Sequence, residues 1–495
     1  KDTLILTERM RDMKLSELLA DIEVEKIIGA EQLNVTGIAF NSMEVRPGNI
    51  FVCITGFKTD GHKYAADAID RGAIAVIAER DISELGVTCV ICKNTRLALA
   101  KAAANFYGHP ERKFRLIGIT GTNGKTTATY LVKSVLESLG RKVGLIGTNQ
   151  NMIGTEVIPS KHTTPDSLEL MQLFSQMAEK GAEYVVMEVS SHSLALDRVT
   201  ACRFDVGAFT NITQDHLDFH KTMENYLAAK SILFTISKAG VINRDDSGSD
   251  YLLEHSTCER MLTYGIESDC DIHASDVKLS EKGVAFKVSY ENKEYDVELG
   301  IPGMFSVYNA LTALGCLVSA GIHMDDAVEG LKSARGVKGR IEVVETNRDF
   351  SVIIDYAHTP DGLYNVIRTI RGFCRGRIIT VFGCGGDRDA GKRPKMGRIA
   401  AELSDYCVVT SDNPRTENPV AIINDVVEGV KNGKCDYTVV VNRFEAIETA
   451  LDMAKKDDVV LLAGKGHETY QILADRTIDF DEREIVRKLL NIQGD

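Results

Sequence analysis

The segment 117–140, "IGITGTNGKTTATYLVKSVLESLG", sets an apolar run, a glycine-containing turn, a lysine and two threonines ahead of an amphipathic stretch. In that order a strand, a phosphate-cradling loop and a helix N-terminus follow one another in a P-loop. Backbone N–H groups of Gly121, Thr122, Asn123 and Gly124 would face phosphate oxygens, and Lys125 would add positive charge. Thr126, followed by Thr127, would reach a Mg²⁺. The spacing departs from G-x-x-x-x-G-K-[ST], because Ile119 stands six positions before Lys125. An ordinary turn capped by threonine accounts for it less well, given the strand and helix patterns on either side, so ATP is the expected ligand.

A site that handles ATP needs hard oxygen ligands for Mg²⁺. Glu188 ends the apolar run "VVME" and is placed for that work. "NITQDHLDFH" gathers Asp215, His216, Asp218 and His220 after another apolar run, either as a solvated polar loop or as ligands for a second cation. Met223, Tyr226, Leu227 and Phe234 form a helical stripe on which Lys230 also falls, so Lys230 faces inward. It either snorkels to the surface or is an amine of lowered pKa, able to take up CO₂ as a carbamate that ligates a cation. Nearer the C-terminus, "GCGGDRD", "SDNPRTENP" and "GKGHE" each follow an apolar run. The second of these offers an acid, an amide, a proline of fixed φ and an arginine together, against the plain alternative of an Asx-Pro turn with a surface arginine.

These groups need elements to hold them. The chain has 495 residues, too many for one core, and about 150 residues per domain suggests three. From about 35 to 112, "NIFVCIT" and "AIAVIAE" alternate with helical patterns, and "GHPERK" reads as a linker. The middle third alternates longer strands and helices, which predicts a doubly wound, mainly parallel sheet. "SARGVKGR" marks a second boundary, near 336, beyond which "SVIIDYA", "RIITVFG", "YCVVTSD", "YTVVVN" and "DVVLLAG" predict a Rossmann-like sheet. Ligands of such sheets gather beyond the carboxyl ends of the strands, where the polar loops fall.

Composition bounds the partners. With 44% hydrophobic and 26% charged residues the chain should fold, and a net charge of −13 argues against nucleic acid or anionic membrane as a partner. Eleven cysteines, an odd number, suit reduced thiols. Cys89 and Cys92, three apart in a strand pattern, point to opposite faces, so they form no zinc or redox pair. The first residues are too charged for a signal peptide and no run of 18 apolar residues occurs, so a cytoplasmic protein is expected.

In the order "GTNGKTT", "EVSSH", "NITQDHLDFH", "AAKSILF", "GMFSVYNALTALG", "GRIEVVE", "DYAHTPD", "GCGGDRDAGKRP", "SDNPRTENP" and "AGKGHE", the chain resembles the Mur ligases, ATP-dependent amide-forming enzymes of peptidoglycan precursor assembly. The resemblance runs over essentially the whole length. It implies an α/β fold in the three-domain Mur ligase architecture. A small N-terminal α/β domain (1–112) would bind a UDP-sugar, a central P-loop ATPase-like parallel-sheet domain (113–336) would bind ATP, and a C-terminal Rossmann-like domain (337–495) would bind an amino acid. A monomer is expected.

The resemblance also implies roles. Lys125, Glu188, His216 and Lys230 would be catalytic. Residues 121–127 with Asn309, Arg340, Asp355 and His358 would contact ATP, domain closure assembling the site, and Thr126, Glu188, His216 and carbamylated Lys230 would hold Mg²⁺. A nucleotide-sugar dipeptide, UDP-N-acetylmuramoyl-L-alanyl-D-glutamate, would meet Ser42, Phe57, Lys58, Thr59, Thr163, Thr164, Ser190 and Arg198. Three positions depart from the family pattern: "NSM" at 41–43 for the usual "DSR", Phe57 for a histidine, and Leu196 where relatives often have glutamine. Arg388, Asp412, Asn413, Pro414, Arg415, Gly464 and Glu468 would bind meso-2,6-diaminopimelate, whose distal carboxylate suits the fork of Arg415. The implied reaction adds that amino acid to the dipeptide through an acyl phosphate. Its rivals are an L-lysine-adding or folate-elongating ligase of the same class and a P-loop switch that hydrolyses ATP without an acceptor.

Overall fold

The computed structural model describes residues 12–492 apart from 57, 58, 161, 281 and 335. The chain divides into two compact units, Lys1–Lys125 with Leu139–Thr263 and Ser319–Gly321, and Thr126–Ser138 with Tyr264–Val318 and Ile322–Asp495.

The first unit begins with five strands in the order Val24–Ile28, Thr88–Cys92, Ala75–Ala78, Asn49–Val52 and Gly37–Ala39. All neighbours run parallel except the first pair. Cys89 packs with Phe51 and Val76 on one face, and Cys92 with Ile50 and Ile77 on the other. Burial pushes both thiols up, Cys92 to about 11, which leaves neither a ready thiolate.

Seven further strands of this unit lie in the order Glu156–Ile158, Asn151–Ile153, Val143–Ile146, Tyr184–Glu188, Arg115–Thr120, Phe204–Phe209 and Ser237–Asn243. The last five are parallel. Val143–Ile146 and Tyr184–Glu188 are buried at every position, as expected of strands covered on both faces. Each fully buried valine, leucine or isoleucine contributes roughly 1.5–3 kcal/mol, so a register slip here would be costly. The first two strands form an antiparallel hairpin that the sequence reading passed over, since each has only three residues around the turn at Gly154.

The second unit carries an antiparallel meander, Ile272–Ser280, Gly283–Tyr290 and Lys293–Leu299. Its strands alternate buried and exposed residues, the mark of a sheet wetted on one side, and they too are absent from the sequence reading. A six-stranded sheet of this unit has the order Glu342–Val344, Ser351–Asp355, Val459–Ala463, Ile378–Phe382, Tyr406–Val409 and Asp436–Val439. All pairs are parallel except the first. Because Val459–Ala463 inserts between Ser351–Asp355 and Ile378–Phe382, the strand order reverses there. A ligand crevice in such sheets lies at the carboxyl ends beside that reversal. Among the described residues no helix is long and apolar enough to cross a membrane.

Candidate active site

The strand Arg115–Thr120 delivers the loop 121–124, and the helix Lys125–Ser138 leaves it. Gly121 has φ +149°, and a Cβ there would stand 1.9 Å from Thr210 Oγ1, so only glycine fits. Thr210 and Asn211, just past the neighbouring strand Phe204–Phe209, clamp the loop. Thr122 N–H donates to Asn211 O (2.8 Å), Asn123 N–H to Asn211 Oδ1 (3.0 Å) and Thr210 Oγ1 to Asn123 O (2.6 Å). The helix's first N–H groups have no intrahelical acceptor and carry the positive end of its dipole, which suits phosphate. Lys125 Nζ donates to the carbonyls of Gly121 and Thr122, both at 2.9 Å. Thr126 and Thr127 are buried, and Asn123 is exposed at the loop tip.

Glu188, 1% exposed, ends the adjacent parallel strand. Its Oε1 accepts from Thr148 N–H (2.8 Å) and its Oε2 from Thr148 Oγ1 (3.0 Å), which also lies 3.1 Å from Thr163 Oγ1. Thr164 Oγ1 donates to Glu188 O (2.9 Å) and accepts from Ser190 N–H (3.0 Å). Arg198 Nη1 donates to Thr164 O (3.1 Å), and its Nε pairs with Asp166 at 2.9 Å. Asp166 occupies the N-cap position of the helix Ser167–Glu179 yet makes no side-chain cap, its carboxylate being engaged by Arg198. Thr163, Thr164, Glu188, Ser190 and Arg198 thus form one polar cluster, linked by Thr148, which the sequence reading missed. The signal available was its place just beyond the carboxyl end of a parallel strand.

Lys230 lies inward, 1% exposed, on the helix Met223–Thr235, whose first turn Thr222 caps. Its Nζ sits 4.2 Å from the centroid of the Tyr226 ring, and Tyr226 OH lies 3.1 Å from Thr122 Oγ1 in the phosphate loop. Burial, followed by the charge of Lys125, holds the Lys230 ammonium well below the usual lysine range, while Asp215 and Asp246 oppose the shift. Snorkelling to the surface is not what this lysine does. His216 takes a left-handed backbone (φ +54°), uncommon for a residue with a side chain and frequent where function holds the chain in strain. Its ring stands 4.8 Å from that of His192 and 6.1 Å from that of Tyr226, centroid to centroid. His220 is buried, with Nε2 2.9 Å from Ser191 Oγ. Among the described residues no group of three or more His, Cys, Asp or Glu side chains could hold a metal. The available donors fit Mg²⁺, which commonly binds through one or two carboxylates, waters and substrate phosphates. Glu188 is such a carboxylate, and a threonine hydroxyl at Thr126 is a hard oxygen donor.

Ser42 is buried in the turn Ser42–Glu44 and hydrogen-bonds Asp67. Thr59 Oγ1 donates to Tyr64 OH at 3.2 Å, whereas Phe57 and Lys58 lie outside the described residues.

The second unit presents its own loops at the carboxyl ends. Asp355, buried and with its carboxyl raised by that burial, accepts from Ile341 N–H and Ala357 N–H, both at 2.8 Å. Arg340 stacks 5.2 Å from the Tyr356 ring, and His358 Nδ1 lies 2.8 Å from Tyr356 O. Asn309 is 4% exposed, and its Nδ2 is a buried donor with no acceptor among the described residues, which fits an amide awaiting a ligand such as a nucleotide base.

The loops after Ile378–Phe382 and Tyr406–Val409 interlock. A Cβ on Gly386 would stand 1.9 Å from Pro414 O, and Gly386 N–H donates to Asn413 O (2.9 Å). Arg415 Nη1 donates to Gly386 O (2.8 Å), and Arg415 N–H to Ile472 O (3.2 Å). Arg388 is exposed nearby, donating to Asp387 O at 3.0 Å. Asn413 Nδ2 donates to Glu468 Oε2 (2.9 Å), and Gly464 N–H to Asp355 O (2.9 Å). Asp412 N-terminally adjoins them, with Oδ2 3.9 Å from buried Arg443, itself paired with Glu482 at 2.8 Å. In "SDNPRTENP" the two Asn-Pro pairs divide their work: Asn413-Pro414 shapes this turn, whereas Asn418 caps the helix Pro419–Val430. A cavity of about 790 Å³ lined by Ser411, Pro414, Arg443, Phe444 and Phe480 backs the turn. It includes none of Arg388, Asn413, Arg415 or Glu468, so the polar recognition groups are assembled elsewhere than in that cavity.

Comparison with known proteins fits this geometry. Family models match as the Mur ligase family catalytic domain over 34–107, the Mur ligase middle domain over 119–317 and the Mur ligase glutamate ligase domain over 339–466. A UDP-N-acetylmuramoyl-L-alanyl-D-glutamate–2,6-diaminopimelate ligase of Caldanaerobacter subterraneus is 52% identical over 480 residues, covering 97% of this chain and 99% of the relative. The ligase of the same name from Clostridioides difficile is 45% identical, covering 97% and 100%. A solved structure of a ligase of that name superposes with a TM-score of 0.73 at 31% identity, covering 97% of this chain and 99% of the other. With the phosphate loop, its clamp and the interlocked C-terminal loops all set at the carboxyl ends of parallel strands, this chain belongs to the Mur ligase family and has its three-domain fold.

Proposed function

We propose that this chain forms an amide bond between the γ-carboxylate of the D-glutamate in UDP-N-acetylmuramoyl-L-alanyl-D-glutamate and an amine of meso-2,6-diaminopimelate, at the expense of ATP, in peptidoglycan precursor synthesis. The observation that carries the amino-acid assignment is the grouping of Arg415, Asn413 and Glu468 at one sheet end, offering a cationic fork, an amide and an acid to a zwitterion. The domain limits 1–112, 113–336 and 337–495 assign the nucleotide-sugar, ATP and amino-acid roles in that order, in a cytoplasmic monomer.

A carboxylate and an amine do not condense in water without activation. The γ-carboxylate attacks the γ-phosphorus of ATP, ADP leaves, and the acyl phosphate is then opened by the amine with release of phosphate. Lys125 and the N–H groups at 121–127 stabilise charge on the transferring phosphoryl group. Asn309, Arg340, Asp355 and His358 hold the nucleotide. Thr126, Glu188, His216 and carbamylated Lys230 would hold Mg²⁺, which supplies charge neutralisation at the phosphates. Thr163, Thr164, Ser190 and Arg198 bind the dipeptide end of the nucleotide-sugar, with Ser42, Phe57, Lys58 and Thr59 at its uridine end. Arg388, Asp412–Arg415, Gly464 and Glu468 bind diaminopimelate.

The test is phosphate release from ATP with the nucleotide-sugar dipeptide and either meso-diaminopimelate, L-lysine or no amino acid. Strong stimulation by diaminopimelate alone is expected. Equal turnover with L-lysine would overturn the specificity while leaving a ligase, and turnover indifferent to both substrates would indicate an ATP-hydrolysing switch.

The carbamate on Lys230 has its own test. An amine whose burial disfavours the ammonium is nucleophilic toward CO₂ at neutral pH. Turnover is expected to fall in CO₂-depleted buffer and to return on adding bicarbonate, and Lys230→Met should lower it by about 10–100-fold, the range for losing a partner around a metal. Activity unaffected by CO₂ would exclude the carbamate.

A further inference from the structure

We infer that Lys465 is a positioning residue for the amino-acid substrate, fixing the orientation of Asn413 and Glu468 from behind. The inference rests on the amino-acid-binding role proposed for these loops. Lys465 follows Gly464 at the carboxyl end of Val459–Ala463, and its side chain is wholly buried. A buried ammonium is costly unless its donors are matched. Here Nζ donates to Asn413 Oδ1 at 3.2 Å and to Glu468 Oε2 at 3.1 Å, with the rings of Tyr470 and Phe480 at 5.7 and 5.9 Å. Both hydrogen bonds go to residues of the proposed binding surface.

The consequence is an ordered triangle. Asn413 Oδ1 accepts from Lys465 and from Ile472 N–H (3.0 Å), so its NH₂ must face Glu468, where it donates to Oε2 at 2.9 Å. A flipped amide would set NH₂ against the ammonium. Two donors therefore converge on Glu468 Oε2, and Oε1 is left to accept from a substrate ammonium. The carboxylate is held before the ligand arrives, which spares the ordering cost of binding. The lysine also offsets the negative charge that Asp412 and Glu468 would otherwise turn toward the substrate's own carboxylates. Lys465 touches neither substrate nor reacting atoms in this scheme.

Steady-state kinetics of the full-length wild type, Lys465→Met, Glu468→Gln and the double variant test this. Lys465→Met is expected to raise KM for meso-diaminopimelate by about 10–100-fold, with kcat and the KM values for ATP and the nucleotide-sugar dipeptide within about threefold of wild type. The double variant should lie within about threefold of Glu468→Gln, since the lysine acts largely through that carboxylate. An unchanged KM for diaminopimelate, or three KM values rising together, would overturn the inference. Should Lys465→Met fail to fold, the comparison of Glu468→Gln with Lys465→Met/Glu468→Gln decides, because the double variant removes both charges of the buried pair together. A further tenfold loss in the double variant would then sink the idea. Wild type that no amino acid stimulates would remove the functional reading itself and this inference with it.

Discussion

Lys125→Ala is expected to lower kcat by about 10²–10³-fold, with a smaller change in the KM for ATP and an unchanged thermal midpoint. The magnitude follows from one stabilising donor at a developing charge, worth ~2.7–4 kcal/mol. The asymmetry follows from when the charge is needed: negative charge on the transferring phosphoryl group is spread furthest in the transition state. The fold should survive because Lys125 Nζ bonds carbonyls of its own loop, Gly121 and Thr122, while the loop is held from outside by Thr210 and Asn211. Arginine should not rescue, since a planar fork replaces a compact ammonium on a loop shaped around the latter. Steady-state kinetics with ATP varied checks the result. A loss confined to KM, with kcat within about tenfold of wild type, would mean that Lys125 binds ATP without favouring the transfer.

How much of this was legible beforehand depended on period and punctuation. The parallel strands announced themselves because they are buried on both faces and read as unbroken apolar runs, as at Val459–Ala463. Their carboxyl ends were then the place to look for function: the P-loop pattern nominated Lys125, the end of an apolar run nominated Glu188, and the resemblance to the Mur ligases supplied the role of Arg415. Lys230 was legible because a charged residue on an apolar helical stripe has few destinations, and in the structure it is buried. The antiparallel meander Ile272–Leu299 was not read, although its strands of seven to nine residues alternate apolar with polar side chains, because attention went to unbroken apolar runs. Thr148, Thr210 and Lys465 were missed for another reason. Each acts by holding a neighbour that is distant in sequence, Glu188, Asn123 and Asn413 respectively, and no local pattern encodes such pairs. The carboxylates and cations of a site can be nominated one by one, whereas what aims them emerges only from the fold.

Arg415→Asn is expected to lower kcat/KM for meso-diaminopimelate by about 30–300-fold and to leave any slow turnover of L-lysine unchanged. Removing one partner of a hydrogen-bonded charge pair costs ~2–5 kcal/mol when it is buried. Arg415 is only half-buried, so the lower part of that range applies, at about tenfold per 1.4 kcal/mol. Asparagine is the variant of choice because Arg415 has φ +53°, a left-handed conformation that asparagine tolerates better than most residues with a side chain. Loss of substrate binding is thereby separated from loss of the turn. Arg415→Lys keeps the charge but not the planar fork, and should recover only part of the activity. The side chain is already anchored, with Nη1 donating to Gly386 O at 2.8 Å, which leaves its remaining N–H groups for a ligand carboxylate. Diaminopimelate differs from lysine by that distal carboxylate alone, so the ratio of the two rates isolates the contact. If both substrates fell in parallel, Arg415 would be a strut between the Gly386 and Asn413 loops, and selection of the amino acid would have to come from Arg388 and the acids around it.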